Sequence, residues 1–287
     1  MSILEEIIEY PAPSELYHYT SQQGLLGVLS TDSLWATNIH YLNDYTEFDL
    51  ALNLSRNILN KKLSETKDKQ RTKKIKCLLD NLYSLIGGNV YVSSFSQKRD
   101  LLSQWRAYEG SVGGFSIGIN SSNLITCAKQ QGFILVKCVY DEVLQEKIIS
   151  EFIDECLAEE FNTISEKFDP NRPRTLIILR TGGEFNKKLV SIAPIIKHRS
   201  FSEEDEWRLI SSHGIKVDSL LFRPGVSLLT PYFEFQLGNK ATYLKSITVG
   251  PNPHPELAKE AVQMLLAKYG ISQSTEIYDS EIPFRNW

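Results

Sequence analysis

The chain has 287 residues, 42% of them hydrophobic and 23% charged, the composition of a globular protein with a substantial core. Its formal charge of -4 excludes the global basic footprint of a dedicated nucleic-acid binder and leaves a local patch as the route to such a partner. No apolar run approaches the roughly 18 residues needed to cross a bilayer, and the first ten residues are too acidic for a secretory signal. Cys77, Cys127, Cys138 and Cys156 show no CxxC or Cys/His spacing, so no metal site is assigned and a cytoplasmic protein with reduced core thiols is expected.

Leu16-Tyr17-His18-Tyr19-Thr20 reads as a first strand, followed by a short helix over Leu25, Leu26, Val28 and Leu29 with Ser21 as N-cap. Leu34 to Asn38 is a second strand, and Asn43 or Asp44 is placed to cap the helix that begins near Glu47. That helix enters Lys61 to Lys76, which holds eight basic residues against Glu65 and Asp68. Such a segment is either a solvated helix or a phosphate-contacting face for RNA or DNA. An apolar run over residues 75–86 resumes the helix, ended by Gly87-Gly88.

Residues 89–96 form a strand whose end is hydroxyl-rich, with Ser94 and Ser96 on one face. A short helix from Asp100 gathers Leu101, Leu102, Trp105 and Tyr108, and the glycines before Phe115 do not spell a dinucleotide fingerprint. Strands are expected over 115–119 and 132–139, then two helical stretches, 142–168 and 175–193, read as an insertion spanning about 142–194. Further strands follow near 220–222, 232–237, 244–249 and 276–278, with an amphipathic helix over 256–269. One α+β domain over 1–287, built on a mixed or antiparallel sheet with a helical insertion, fits this order.

The chemistry concentrates in Phe201 to Ile210. Continued as a strand, this stretch puts Glu204, Glu206 and Arg208 on the face opposite Trp207 and Leu209. Two carboxylates and a guanidinium on one surface suit acid/base work or stabilisation of a cation; the alternative is a solvated strand entrance with a Glu-Arg cross-pair.

Two resemblances follow from these residues. The ordered set His18-Tyr19-Thr20, Trp35, Asn43-Asp44 with Glu47, Ser94-x-Ser96, Gln104-Trp105-Arg106, Glu204-x-Glu206-Trp207-Arg208, Val249-Gly250-Pro251 and Ile282-Pro283-Phe284-Arg285 resembles a bacterial family of uncharacterised domains found near mobile elements and phage-defence genes. The order His-Tyr-Thr, Ser-x-Ser, Glu-x-Glu is also similar to the NAD-binding core of ADP-ribosyltransferases. That likeness implies the ADP-ribosyltransferase fold, NAD as substrate, and a macromolecular acceptor, with a toxin or anti-phage role and an antitoxin partner. It places His18, Tyr19 and Thr20 against NAD, supported by Ser94 and Ser96, with Trp105 or Tyr108 stacked on nicotinamide. Glu206 would be the catalytic carboxylate, Glu204 would orient the acceptor, and Asn43, Asp44 and Arg208 would support them. The chain mixes two patterns of that superfamily, a first-strand His with a Ser-x-Ser and Glu-x-Glu pair, which leaves the acceptor class open. A NAD glycohydrolase, a binding or sensor module, and a nuclease using Glu204, Glu206 and Asp44 for a divalent metal are the alternative readings.

Overall fold

The computed structural model describes residues 2–42, 46–82, 90–108, 113–158, 183–211, 215–225 and 227–284. The strands are β1 Glu15–Ser21, β2 Ser33–Asn38, β3 Tyr91–Ser96, β4 Gly114–Asn120, β5 Phe133–Lys137, β6 Glu206–Ser211, β7 Leu221–Pro224, β8 Leu229–Gln236, β9 Leu244–Val249 and β10 Glu276–Asp279. The helices are α1 Ile3–Ile8, α2 Gln22–Thr31, α3 Thr46–Glu65, α4 Lys69–Leu82, α5 Leu102–Tyr108, α6 Ser121–Gln131, α7 Glu142–Ala158, α8 Gly183–Ile192, α9 Lys240–Tyr243 and α10 Pro255–Lys268. The architecture is α+β, and every strand pair is antiparallel except β9 with β10.

The strand order β10-β9-β4-β1-β3-β2-β8-β7 conceals a fork. One edge of β3 is paired along its length with β6, from Val92 opposite Ile210 to Ser96 opposite Glu206, and β6 pairs in turn with β5. The other edge of β3 is shared: β2 bonds it at Tyr91 and Val92, and β1 meets it only at Ser96 through Tyr17. Two strands cannot occupy one edge at the same level, so β1 and β2 part as they run alongside residues 93–95. The carbonyls exposed there need other partners.

Because opposed residues share a face, the register sorts the side chains. Val92, Val136 and Ile210 point to one face and enter a core with α3, α4, α7 and α8; this is called the helical face below. Leu16, Tyr91, Phe95, Trp207 and Leu209 point the other way and pack with α2, α6 and α10.

Local signals explain most elements. The Ser21 hydroxyl accepts the Gly24 amide at 3.2 Å and starts α2. Asn120 caps α6 in the same way, accepting from Ser122 and Asn123. This helix, which the sequence reading leaves without an element, carries Leu124 and Ala128 into the core. Helices α7 and α8 fall within the expected insertion, yet they supply Ile149, Phe152, Ile153 and Leu189 to the same core as β3 and β6. They are a layer of the fold. Gly87-Gly88 and the rest of the two inserted stretches lie outside the described residues. Cys138 and Cys156 are buried in the core as expected, whereas Cys127 is half-buried and Cys77 exposed.

Candidate functional site

The segment before β6 determines the geometry of the acidic cluster. Residues Arg199–Glu204 form a short 3-10 helix, and Asp205 then adopts a left-handed conformation with φ 46, from which β6 departs. This turn lets Glu204 and Glu206 converge on one ammonium: Lys197 Nζ donates to Glu204 Oε2 and to Glu206 Oε2, both at 2.5 Å. Arg208 completes the group. Its Nε donates to Glu206 Oε1 at 2.7 Å, its Nη2 to Glu206 Oε2 at 3.1 Å, and its Nη1 to the Pro194 carbonyl at 2.9 Å. The Glu206 amide donates to the Tyr140 hydroxyl at 3.0 Å.

Glu206 and Arg208 are buried, so the expected solvated cross-pair is not what forms. Burial by itself would raise the Glu206 pKa, but the charges and hydrogen bonds of Arg208 and Lys197 outweigh it and lower it to about 2. Repulsion between the two carboxylates is offset by the Lys197 ammonium that both accept from. Glu204 is the more exposed of the two carboxylates, its side chain 18% accessible against 5% for Glu206.

Tyr17, Ser96 and Glu206 stand in one row across β1, β3 and β6. Burial first, and then the neighbouring Glu15 carboxylate, push the Tyr17 hydroxyl up to about 12. Ser96 Oγ donates to the Glu204 carbonyl at 2.6 Å and accepts the Lys98 amide at 3.0 Å, which ties β3 to the acidic turn. The ring of Phe201 lies 4.9 Å from Lys197 Nζ.

His18 is not in this row. Since Tyr17 shares a face with Ser96, His18 points to the opposite face, against Phe95 at 5.7 Å between ring centroids. Its Nδ1 lies 3.0 Å from the Ser94 carbonyl, one of the groups left open by the fork. A carbonyl only accepts, so Nδ1 carries the hydrogen and donates. Burial lowers the His18 pKa, which fits this neutral tautomer. Strand register thus puts the His18 and Glu206 side chains on opposite faces of the sheet, a relation the sequence leaves open.

Other expected site residues are also placed. Thr20 shares the His18 face, opposite Phe115. Tyr19 donates to the Lys98 carbonyl at 2.8 Å and packs edge-on against Trp105 at 4.7 Å. Trp105 is fully buried, with its indole N–H on Asp100 Oδ1 at 2.6 Å, so it offers no face for stacking on nicotinamide. Ser94 is half-buried and opposite Arg208. Asn43, Asp44 and the Tyr108 side chain lie outside the described residues. Among the described residues, no three His, Cys, Asp or Glu side chains gather as a metal site, and no helix is long and apolar enough to cross a membrane.

Within the basic segment, Lys62 is bound to Asp154 at 2.8 Å, Arg71 lies 3.6 Å from the same carboxylate, and Lys74 reaches the Leu157 carbonyl at 3.2 Å. These three hold α3 and α4 to α7. Lys61, Lys67, Lys69, Lys73 and Lys76 are exposed. A cleft of about 490 Å³ lies at the end of β9, lined by residues including Gly250, Asn252, Pro255 and Phe284, and contains none of the expected site residues.

Sequence reasoning missed Lys197, Tyr17 and Tyr140. Lys197 is nine residues before Glu206 and separated from it by a 3-10 helix, so neither strand nor helix periodicity links them. The only signal was a Lys-His-Arg run ahead of an acidic cluster.

Residues 104–209 match a protein family described as a protein of unknown function (DUF2971). The matched span contains Lys197, Glu204, Glu206 and Arg208, and excludes Tyr17 and His18. No curated protein and no solved structure matches the chain.

Proposed function

We propose that this chain is an NAD-consuming ADP-ribosyltransferase, with a core of the ADP-ribosyltransferase kind, that modifies a macromolecule and serves as a toxin or anti-phage effector. The observation that carries the reading is the convergence of Glu204 and Glu206 on Lys197 beside the Tyr17–Ser96 row, with Glu206 kept ionised down to about pH 2. Cleavage of the nicotinamide bond breaks C1′–N, and the electron pair leaves with the pyridinium nitrogen, giving neutral nicotinamide and a cationic C1′. A carboxylate fixed in place before the reaction stabilises such a centre.

The roles differ from those implied by resemblance alone. Both Glu206 oxygens already accept from cations, so Glu206 acts as a positioning residue that sets Lys197 and, through it, Glu204. Glu204, the more accessible carboxylate, faces C1′ and takes the proton released when the acceptor's nucleophile bonds to it. His18 holds the fork of the sheet.

The test is incubation of the protein with NAD, with and without RNA, DNA or a protein extract, following nicotinamide, free ADP-ribose and labelled macromolecule. Release that requires one acceptor class and labels it supports transfer. Release with free ADP-ribose as the only product makes water the acceptor and the chain a glycohydrolase, and no release in any mixture ends the enzymatic reading.

A further inference from the structure

Trp35 stands in mid-strand in β2, yet 47% of its surface is exposed. Alternation puts it on the face of Thr37, which pairs with Val92, so it shares the helical face with Ser94, Ser96 and Glu206. Among the described residues, the helices over this face draw their core from β3, β5 and β6 and from no residue of β2 or β8. No described residue of those helices covers the indole, which stays about half exposed on the face that carries the candidate site.

Its neighbours are specific. Tyr232 of β8 packs beside the indole at 4.6 Å, and the Arg223 guanidinium of β7 lies 5.6 Å from its ring centre. Arg223 Nη2 reaches Thr37 Oγ1 at 3.4 Å, while its buried Nε has no hydrogen-bond partner among the described residues. An exposed indole with an adjoining guanidinium donor matches a base and its phosphate: the ring stacks and the cation pairs. Further charge complementarity comes from the exposed lysines of the α3–α4 turn. Helix α3 begins close after β2 and, at 20 residues, carries its far end about 30 Å away, within the span of a short extended strand. A duplex keeps its base faces stacked internally, so only an unpaired strand can use the platform.

We propose that Trp35, backed by the buried Tyr232 and flanked by Arg223, forms a stacking platform for single-stranded nucleic acid. The inference deepens the transferase reading and rests on it for the chemistry: it presents an unpaired nucleotide on the face that carries Glu204 and Glu206. The test is a fluorescence titration with short oligothymidylate and oligouridylate, without NAD, and with a duplex of the same length as comparison. The expected result is salt-dependent quenching by the single strands, weakened roughly tenfold or more in Trp35→Ala with an unchanged melting temperature. Arg223→Gln should also flatten the salt dependence by about one phosphate contact. Equal affinity in Trp35→Ala, duplex binding as tight as single-strand binding, or no binding at all overturns the platform. Since NAD is absent, binding without nicotinamide release in the enzymatic assay would sink only the transferase, and release without binding would sink only the platform.

Discussion

Lys197 Nζ lies 2.5 Å from Glu206 Oε2 and the same distance from Glu204 Oε2, so one ammonium joins the two carboxylates that flank the left-handed Asp205. Each charge in this buried group is tolerated because of the others. Glu206→Gln leaves Lys197 and Arg208 with one carboxylate fewer, and should cost about 3 to 5 kcal/mol of stability. Urea unfolding checks this, and Glu206→Gln combined with Lys197→Met should recover part of the loss. Additive losses in the double variant would show that the two side chains are not coupled.

The same group makes stability depend on acid. The Glu206 pKa is about 2 in the fold against an ordinary 4.5, so its contribution is full above 4.5 and is lost as pH falls from there toward 2. The window is worth roughly 3 kcal/mol. The stability gap between wild type and Glu206→Gln should therefore narrow on going from pH 7 to pH 3, and a constant gap would contradict the assigned ionisation.

Asp205 carries positive φ without being glycine. Asn accepts this conformation readily, whereas a β-branched residue does not. Asp205→Asn should leave stability nearly unchanged, since the Lys137 pair at 2.8 Å is partly exposed and of small value. Asp205→Val should cost more than about 1 kcal/mol and lower nicotinamide release by displacing Glu204. Thermal unfolding and the release assay together report both effects.

His18→Phe removes the donor to the Ser94 carbonyl and should destabilise the protein by about 1 to 3 kcal/mol. Its position on the opposite face from Glu206 means the KM for NAD should stay near the wild-type value at a temperature where the variant is folded. A raised KM with unchanged stability would restore His18 as a ligand-binding residue.

Local chemistry made much of the fold legible. Ser21 and the alternating β1 residues define a strand-to-helix turn by themselves, and the spacing of Glu206 and Arg208 correctly puts both on the face opposite Trp207. What local pattern does not contain is pairing between distant strands. Tyr17 rather than His18 joins the Glu206 face because β1 meets β3 at a single residue, and that register is decided by the fork, not by the residues of β1. Lys197 was hidden for a similar reason: an ion pair made across a 3-10 turn and a left-handed residue follows no period. Trp105 fits an aromatic ligand by type and sequence position, but its indole is already spent on Tyr19 and Asp100.

In the proposed reaction Glu204 is the carboxylate that meets C1′. The deciding measurement is nicotinamide release from NAD by Glu204→Gln, in the presence of the acceptor that supports wild-type turnover and with the variant's unfolding curve matched to wild type. Release should fall by at least about a hundredfold with little change in KM, as expected when a group acts mainly in the transition state. Full release by Glu204→Gln would contradict this role.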